Sequence, residues 1–134
     1  MKQNSRTLLA MHTLAHMARD PDRVLTSAEI AEHAGTNAVV VRRVLGQLRN
    51  ADLLTSEKGH AGGWKLARHP ETISLADVYN ALGDRLVASG DDLSDTNCAV
   101  QSALQERFAQ LLDDAERSLV ARLAETRISD LSKA

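Results

Sequence analysis

Two adjacent arginines, Arg42 and Arg43, stand inside an amphipathic stretch and offer the chemistry best suited to a polyanion. A guanidinium can bridge guanine O6 and N7 in the major groove, or pair with a phosphate. The stretch carries Val41, Val44, Leu45 and Leu48 at i, i+3, i+4 and i+7. With that stripe turned inward, Val39, Arg43, Gly46 and Asn50 project on the opposite side, flanked by Val40 and Arg42. Two neighbouring arginines can also be nothing more than a solvated helix face. An outward Val39 wastes apolar area unless something such as a thymine methyl covers it, although a single exposed valine is common. Asn37, just before the stretch, suits a helix N-cap, a phosphate ligand, or both. Further on, Lys58 and His60 lie in Lys58-Gly59-His60-Ala61-Gly62-Gly63, where they could reach phosphates or the minor groove. An ordinary flexible turn is the plain alternative.

Other residues carry weaker signals. His12 and His16 lie four apart, a spacing that can hold a metal, but no third ligand is evident from sequence. They read as solvent-facing, and no metal or cofactor is assigned. Cys98 is the single cysteine. Nothing arranges a base, an orienting carboxylate and an oxyanion site around it, so the chain reads as no enzyme. It is a candidate sensor, since the start of a helix favours a thiolate, while Asp91, Asp92 and Asp95 oppose that. The bland reading is a small half-buried thiol that packs and never reacts. A redox switch here would need a sulfenic acid, a mixed disulfide with a small thiol, or a bridge to a second subunit. Trp64 suits the base of the hairpin as a core residue whose indole N–H needs a partner.

The elements that must position these residues follow from periodicity and punctuation. Ser5 to Ala18 reads as a helix with Ala10, Met11, Leu14, Met17 and Ala18 on one stripe, ended by Asp20-Pro21-Asp22. A second helix starts at Thr26, with Glu29 completing a capping box, Ile30, Ala31 and Ala34 inward, and Gly35 as its left-handed stop. Only Gly35-Thr36-Asn37 separates it from the arginine-bearing helix, which runs to about Ala51, so the pair forms a helix-turn-helix. Leu54–Glu57 and Trp64–Ala67 suit paired strands around the glycine-rich loop. Ser74, with Asp77, caps a short helix whose apolar face is Leu75, Val78, Tyr79 and Leu82. Residues 83–97 show no periodicity and are acidic. From about Cys98 to Thr126 the longest helix carries Val100, Leu104, Phe108, Leu111, Ala115, Leu119 and Leu123, and would extend on the order of 40 Å. One small domain cannot cover that stripe, so a second copy of the chain is the simplest partner. The expected architecture is mainly α with a small β-hairpin. A winged helix-turn-helix domain spans 1–82, an acidic loop 83–97, and a dimerisation helix with a tail 98–134.

Length and composition agree. The 134 residues suit one domain with an appendage, and no apolar run reaches the length of a membrane span. No signal pattern opens the chain, so the expected compartment is the cytoplasm. One cysteine excludes an intramolecular disulfide and any zinc site built on several thiolates. Trp64, Tyr79 and Phe108 are the only aromatics, too few for a platform that stacks single-stranded bases. The net charge of −2 hides an asymmetry. Residues 1–69 hold ten basic and six acidic side chains, net +4, whereas 70–134 hold six and twelve, net −6. A basic front half favours a polyanion partner for that half alone.

The segment Leu25 to Arg68, above all Thr36-Asn37-Ala38-Val39-Val40-Val41-Arg42-Arg43 and Lys58-Gly59-His60-Ala61-Gly62-Gly63-Trp64-Lys65-Leu66, resembles the Rrf-two family of bacterial winged-helix regulators. Ile73-Ser74-Leu75-Ala76-Asp77-Val78-Tyr79 and Ile128-Ser129-Asp130-Leu131 extend the likeness over nearly the whole chain. The single cysteine and the Val-Val-Arg-Arg helix look most like the YwnA-like branch. The resemblance implies a homodimer that binds double-stranded operator DNA and pairs through its long C-terminal helix, and the apolar stripe on that helix makes Val100, Leu104, Phe108, Leu111 and Leu119 the expected interface residues. The expected function is a sequence-specific DNA-binding transcriptional regulator, a repressor by preference, with an oxidant or small molecule as candidate effector. Several members hold an iron–sulfur cluster on three closely spaced cysteines before that helix; only Cys98 stands there, so the cluster does not carry over. Lys58 stands where many members have arginine, and Asp52 where many have glycine. Two rivals are a regulator sensing a ligand or cofactor beside Cys98 and the acidic loop, and a winged-helix protein–protein module that binds no DNA. The basic front half favours DNA over the module.

Overall fold

A computed structural model describes residues 5–57, 63–83 and 98–133. The first helix, α1 (Ser5–Arg19), turns Ala10, Leu14 and Met17 into the core. It stops where the Asp20 N–H bonds to the Met17 carbonyl and Pro21 removes the next donor. In α2 (Ser27–Ala34), the Thr26 hydroxyl accepts from the Glu29 N–H at 3.1 Å, and the Glu29 carboxylate reaches back to the Thr26 N–H. Gly35 ends α2 at φ 71°, a left-handed conformation in which the N–H groups of both Gly35 and Thr36 converge on the Ala31 carbonyl.

The next helix, α3 (Ala38–Asn50), buries Val41, Val44, Leu45 and Leu48 completely, the stripe the sequence predicts. It closes into a tight turn in which Asp52 takes φ 62° and the Leu53 N–H returns to the Leu48 carbonyl. The strands β1 (Leu54–Glu57) and β2 (Gly63–Leu66) pair antiparallel, Leu54 opposite Leu66 and Glu57 opposite Gly63. The second strand begins one residue earlier than the sequence suggests. Leu25 adds a one-residue third strand, exchanging both backbone hydrogen bonds with Trp64 at 3.0 and 2.7 Å. Gly63 is required there, because a Cβ would sit 2.5 Å from the Leu25 carbonyl oxygen.

After a short 3₁₀ turn at Pro70–Thr72 comes α4 (Leu75–Leu82), with the expected Ser74/Asp77 capping box, and Ala76, Val78, Tyr79 and Leu82 buried. Leu75, expected on the apolar face, is only half-buried. The expected loop 83–97 lies outside the described residues apart from Gly83, which ends α4 at φ 69°. The long helix is α5 (Ala99–Leu123), 25 residues or about 38 Å. None of its residues is buried, and within the chain it leans chiefly on α4, where the Tyr79 hydroxyl donates to Glu116 at 2.5 Å.

The C-terminal segment contributes Ile128 to the same buried core as α1 and α3. Between α5 and α6 (Ile128–Ser132) the backbone pairs with the entry to α4: the Leu75 N–H donates to the Thr126 carbonyl and the Ile128 N–H to the Ile73 carbonyl. Ile128 is fully buried, and α6 packs on α1. Among the described residues no helix is long and apolar enough to cross a membrane.

Candidate nucleic-acid interface

The outer face of α3 is built by its own inner stripe. With Val41, Val44, Leu45 and Leu48 sealed inside, the residues between them must face away, and Arg42 and Arg43 are both exposed. Among the described residues neither guanidinium has a carboxylate or hydrogen-bond partner. Val39 is 59% exposed at the head of the same face. Val40, also expected on this face, is half-buried and leans on the core, so it offers an external partner only part of its side chain. Asn37 takes the cap role: its Oδ1 accepts from the Val40 N–H at 3.0 Å. Asn37 is itself exposed at the start of the helix, where orphan N–H groups and the helix dipole favour an anion.

The helix is tied to the hairpin by a residue that sequence reasoning passed over. Arg49 donates from Nη1 to the Ser56 Oγ of β1 at 3.1 Å, and its guanidinium carbon lies 5.8 Å from the Trp64 ring centre. Trp64 is nearly buried, as expected, and its Nε1–H finds Ser27 Oγ at 2.9 Å. These contacts hold α2, α3 and the root of the wing in one relative orientation. A basic residue seven positions before a serine gives no local signal; only the hairpin pairing brings Arg49 and Ser56 together. Lys58 and His60 lie outside the described residues.

Away from this face, α1 and α2 bring together His12, His16 and His33. The first pair was visible in the sequence; the third member was missed, because it comes from the last turn of a different helix. His12 is exposed as expected, whereas His16 is half-buried. Cys98 is exposed at the N-cap of α5 and makes no side-chain capping bond, unlike the packed thiol that was the bland expectation. Val100, Leu104, Phe108 and Leu111 are 77%, 57%, 49% and 55% exposed and line one face of α5; Leu119, nearer its end, is half-buried.

Comparison with known proteins agrees with this geometry. The family model described as "Rrf2: Iron-dependent Transcriptional regulator" matches residues 3–134. The chain is 34% identical over 131 residues to YwnA of Bacillus subtilis (strain 168), named as an HTH-type transcriptional regulator, covering 96% of this chain and 95% of that one. A crystal structure described as that of a DNA-binding protein superposes with a TM-score of 0.75 at 29% identity, covering 94% of this chain and 97% of the other. CymR, the global cysteine regulator of B. subtilis, shares the fold, with a TM-score of 0.66 at 20% identity and coverage of 96% and 93%. The iron in the family's description does not fit a thiolate-held cluster here. Such clusters rest on several cysteines, and this chain has one, exposed at a helix end.

Proposed function

The chain belongs to the Rrf2 family of transcriptional regulators, and from that premise we propose that it acts as a homodimer on double-stranded operator DNA, as a repressor. The observation that carries the DNA contact is the pair of exposed guanidiniums, Arg42 and Arg43, without a partner among the described residues, beside exposed Val39 on a helix whose other face is fully buried. In this reading α3 enters the major groove, Asn37 meets a phosphate near the helix start, and the Lys58/His60 wing grips the backbone beyond it. Arg43 reads a base, and Lys58 supplies sequence-independent attraction.

Residues 1–82 carry the DNA contacts, and α5 carries the pairing. A second copy of the chain covers Val100, Leu104, Phe108 and Leu111, and α6 locks each α5 to its own winged unit. The dimer places two recognition helices on half-sites separated by one or more turns of about 10 base pairs. Cys98, exposed at the head of α5, is the point at which an oxidant or small thiol would act. The reading assigns no catalysis.

The test is a footprint on DNA upstream of the protein's own gene, followed by salt titrations of binding. Arg43→Ala is expected to cost about 1–3 kcal/mol and to relax preference at one base position, whereas Lys58→Ala weakens all sequences alike and lowers the salt slope by about one. Absence of salt-dependent, sequence-selective binding in every condition overturns the proposal. Oxidant responsiveness is read in the same assay by comparing peroxide-treated wild type with Cys98→Ser.

A further inference from the structure

His12 and His16 stand one turn apart on α1, and His33 comes from the last turn of α2 to meet them. One ring nitrogen from each lies within 4.8 Å of the other two. The Nε2 atoms of His16 and His33 are 2.8 Å apart. The ring centres of His12 are 4.7 Å from His16 and 5.4 Å from His33. A first-row ion holding imidazoles at about 2.0–2.1 Å sets its nitrogens roughly 3–3.5 Å apart, so small rotations of the rings bring all three to one centre. The rings line a cleft of about 330 Å³ between the two helices, which also includes Asp20, Glu29, Arg19 and Arg23.

We propose that His12, His16 and His33 form a binding site for one divalent first-row transition metal, of the borderline class that imidazole favours. Neutral imidazole suits zinc, copper, iron and nickel, whereas a donor set of three nitrogens discriminates against magnesium and calcium, which take oxygen ligands. Three protein nitrogens leave at least one position open to water or to a further ligand. The site uses none of the residues assigned to DNA contact, and it does not involve Cys98. An ion here ties α1 to α2, the helix on which α3 is seated.

The competing arrangement is a hydrogen-bonded group of neutral rings with no affinity for metal. Titration of the tag-free, metal-stripped full chain with Zn²⁺ against a chromophoric chelator separates the two, and it requires no DNA. One equivalent per chain is expected, with affinity unchanged in Cys98→Ser and reduced at least about tenfold in His33→Gln and in His16→Gln. Co²⁺ is expected to give ligand-field bands without a thiolate-to-cobalt charge-transfer band. In the wild-type protein, Zn²⁺ should shift the ring ¹⁵N resonances of His12, His16 and His33 and leave those of His60 and His69 in place, a readout that no variant's folding can compromise. Wild-type affinity no greater than that of His33→Gln overturns the site. So does loss of binding in Cys98→Ser, or a ring-shift pattern that omits His33.

Discussion

At the scale of single residues, Asp52 holds a conformation that an L side chain tolerates poorly. Its φ of 62° falls in the left-handed region, where the Cβ crowds the following carbonyl. The turn needs that geometry because the Leu53 N–H must return to the Leu48 carbonyl before β1 can start. Asp52→Gly is therefore expected to raise stability by about 0.5–1 kcal/mol, read as a higher urea midpoint at constant slope. His16 provides a pH signature. Its folded pKa lies below 6.5, depressed by burial, then by His33, His12 and Arg19. The unfolded chain therefore binds the proton more readily, and the contribution of this group to stability rises with pH. In metal-free protein that contribution is present above the unfolded value of 6.5 and is lost as the pH falls through it toward the folded pKa. Urea midpoints measured between about pH 7.5 and pH 5 should fall less steeply for His16→Gln than for the wild type. Parallel curves would mean that His16 does not titrate differently on folding.

At the scale of elements, two glycines with opposite surroundings make a matched pair. Gly63 opens β2 against the Leu25 carbonyl, where an added Cβ meets backbone atoms at 2.5 and 2.9 Å that cannot yield without breaking the Leu25–Trp64 pairing. Gly63→Ala is expected to destabilise by on the order of 2 kcal/mol and to loosen the root of the wing. Gly46 lies mid-way along α3 with open space around the position of a Cβ. Gly46→Ala should stabilise the free protein by about 0.5–1 kcal/mol, since the helix loses less backbone entropy. On the proposed reading the same variant binds operator DNA more weakly, because Gly46 shares the outward face with Arg43. Stability is measured by urea unfolding, and affinity by titration at fixed salt. Gain of stability with unchanged affinity would place Gly46 outside the contact surface.

At the scale of the whole molecule, α5 is a helix of 25 residues none of which is buried. Its exposed stripe of Val100, Leu104, Phe108 and Leu111 is a contiguous apolar face of the kind that soluble monomers seldom display. Leu104→Glu with Leu111→Glu is expected to yield monomers by sedimentation while far-ultraviolet helix content persists. A variant that remains a folded dimer would place the pairing surface elsewhere. The return of the chain through α6 makes a separate demand. Ile128 is fully buried beside Ile73 and α1, so Ile128→Ala should cost about 2–5 kcal/mol. Loss of less than about 1 kcal/mol in thermal or urea unfolding would show that the winged unit folds without the C-terminus.

Local chemistry was legible from the residues alone. Thr26/Glu29 and Ser74/Asp77 are capping boxes, Gly35 is a left-handed stop, and Val41, Val44, Leu45 and Leu48 are a buried stripe. Each depends on neighbours within a turn or two, so spacing is enough to specify it. The outward direction of Arg42 and Arg43 follows from the same periodicity. Tertiary structure alone decided the contacts between distant segments. It brought Leu25 to Trp64, Arg49 to Ser56, and Ile128 into the core. It also placed His33 against His12 and His16, since the angle at which α2 crosses α1 depends on how the Ile30–Ala31 face packs, and no spacing along one helix encodes that angle.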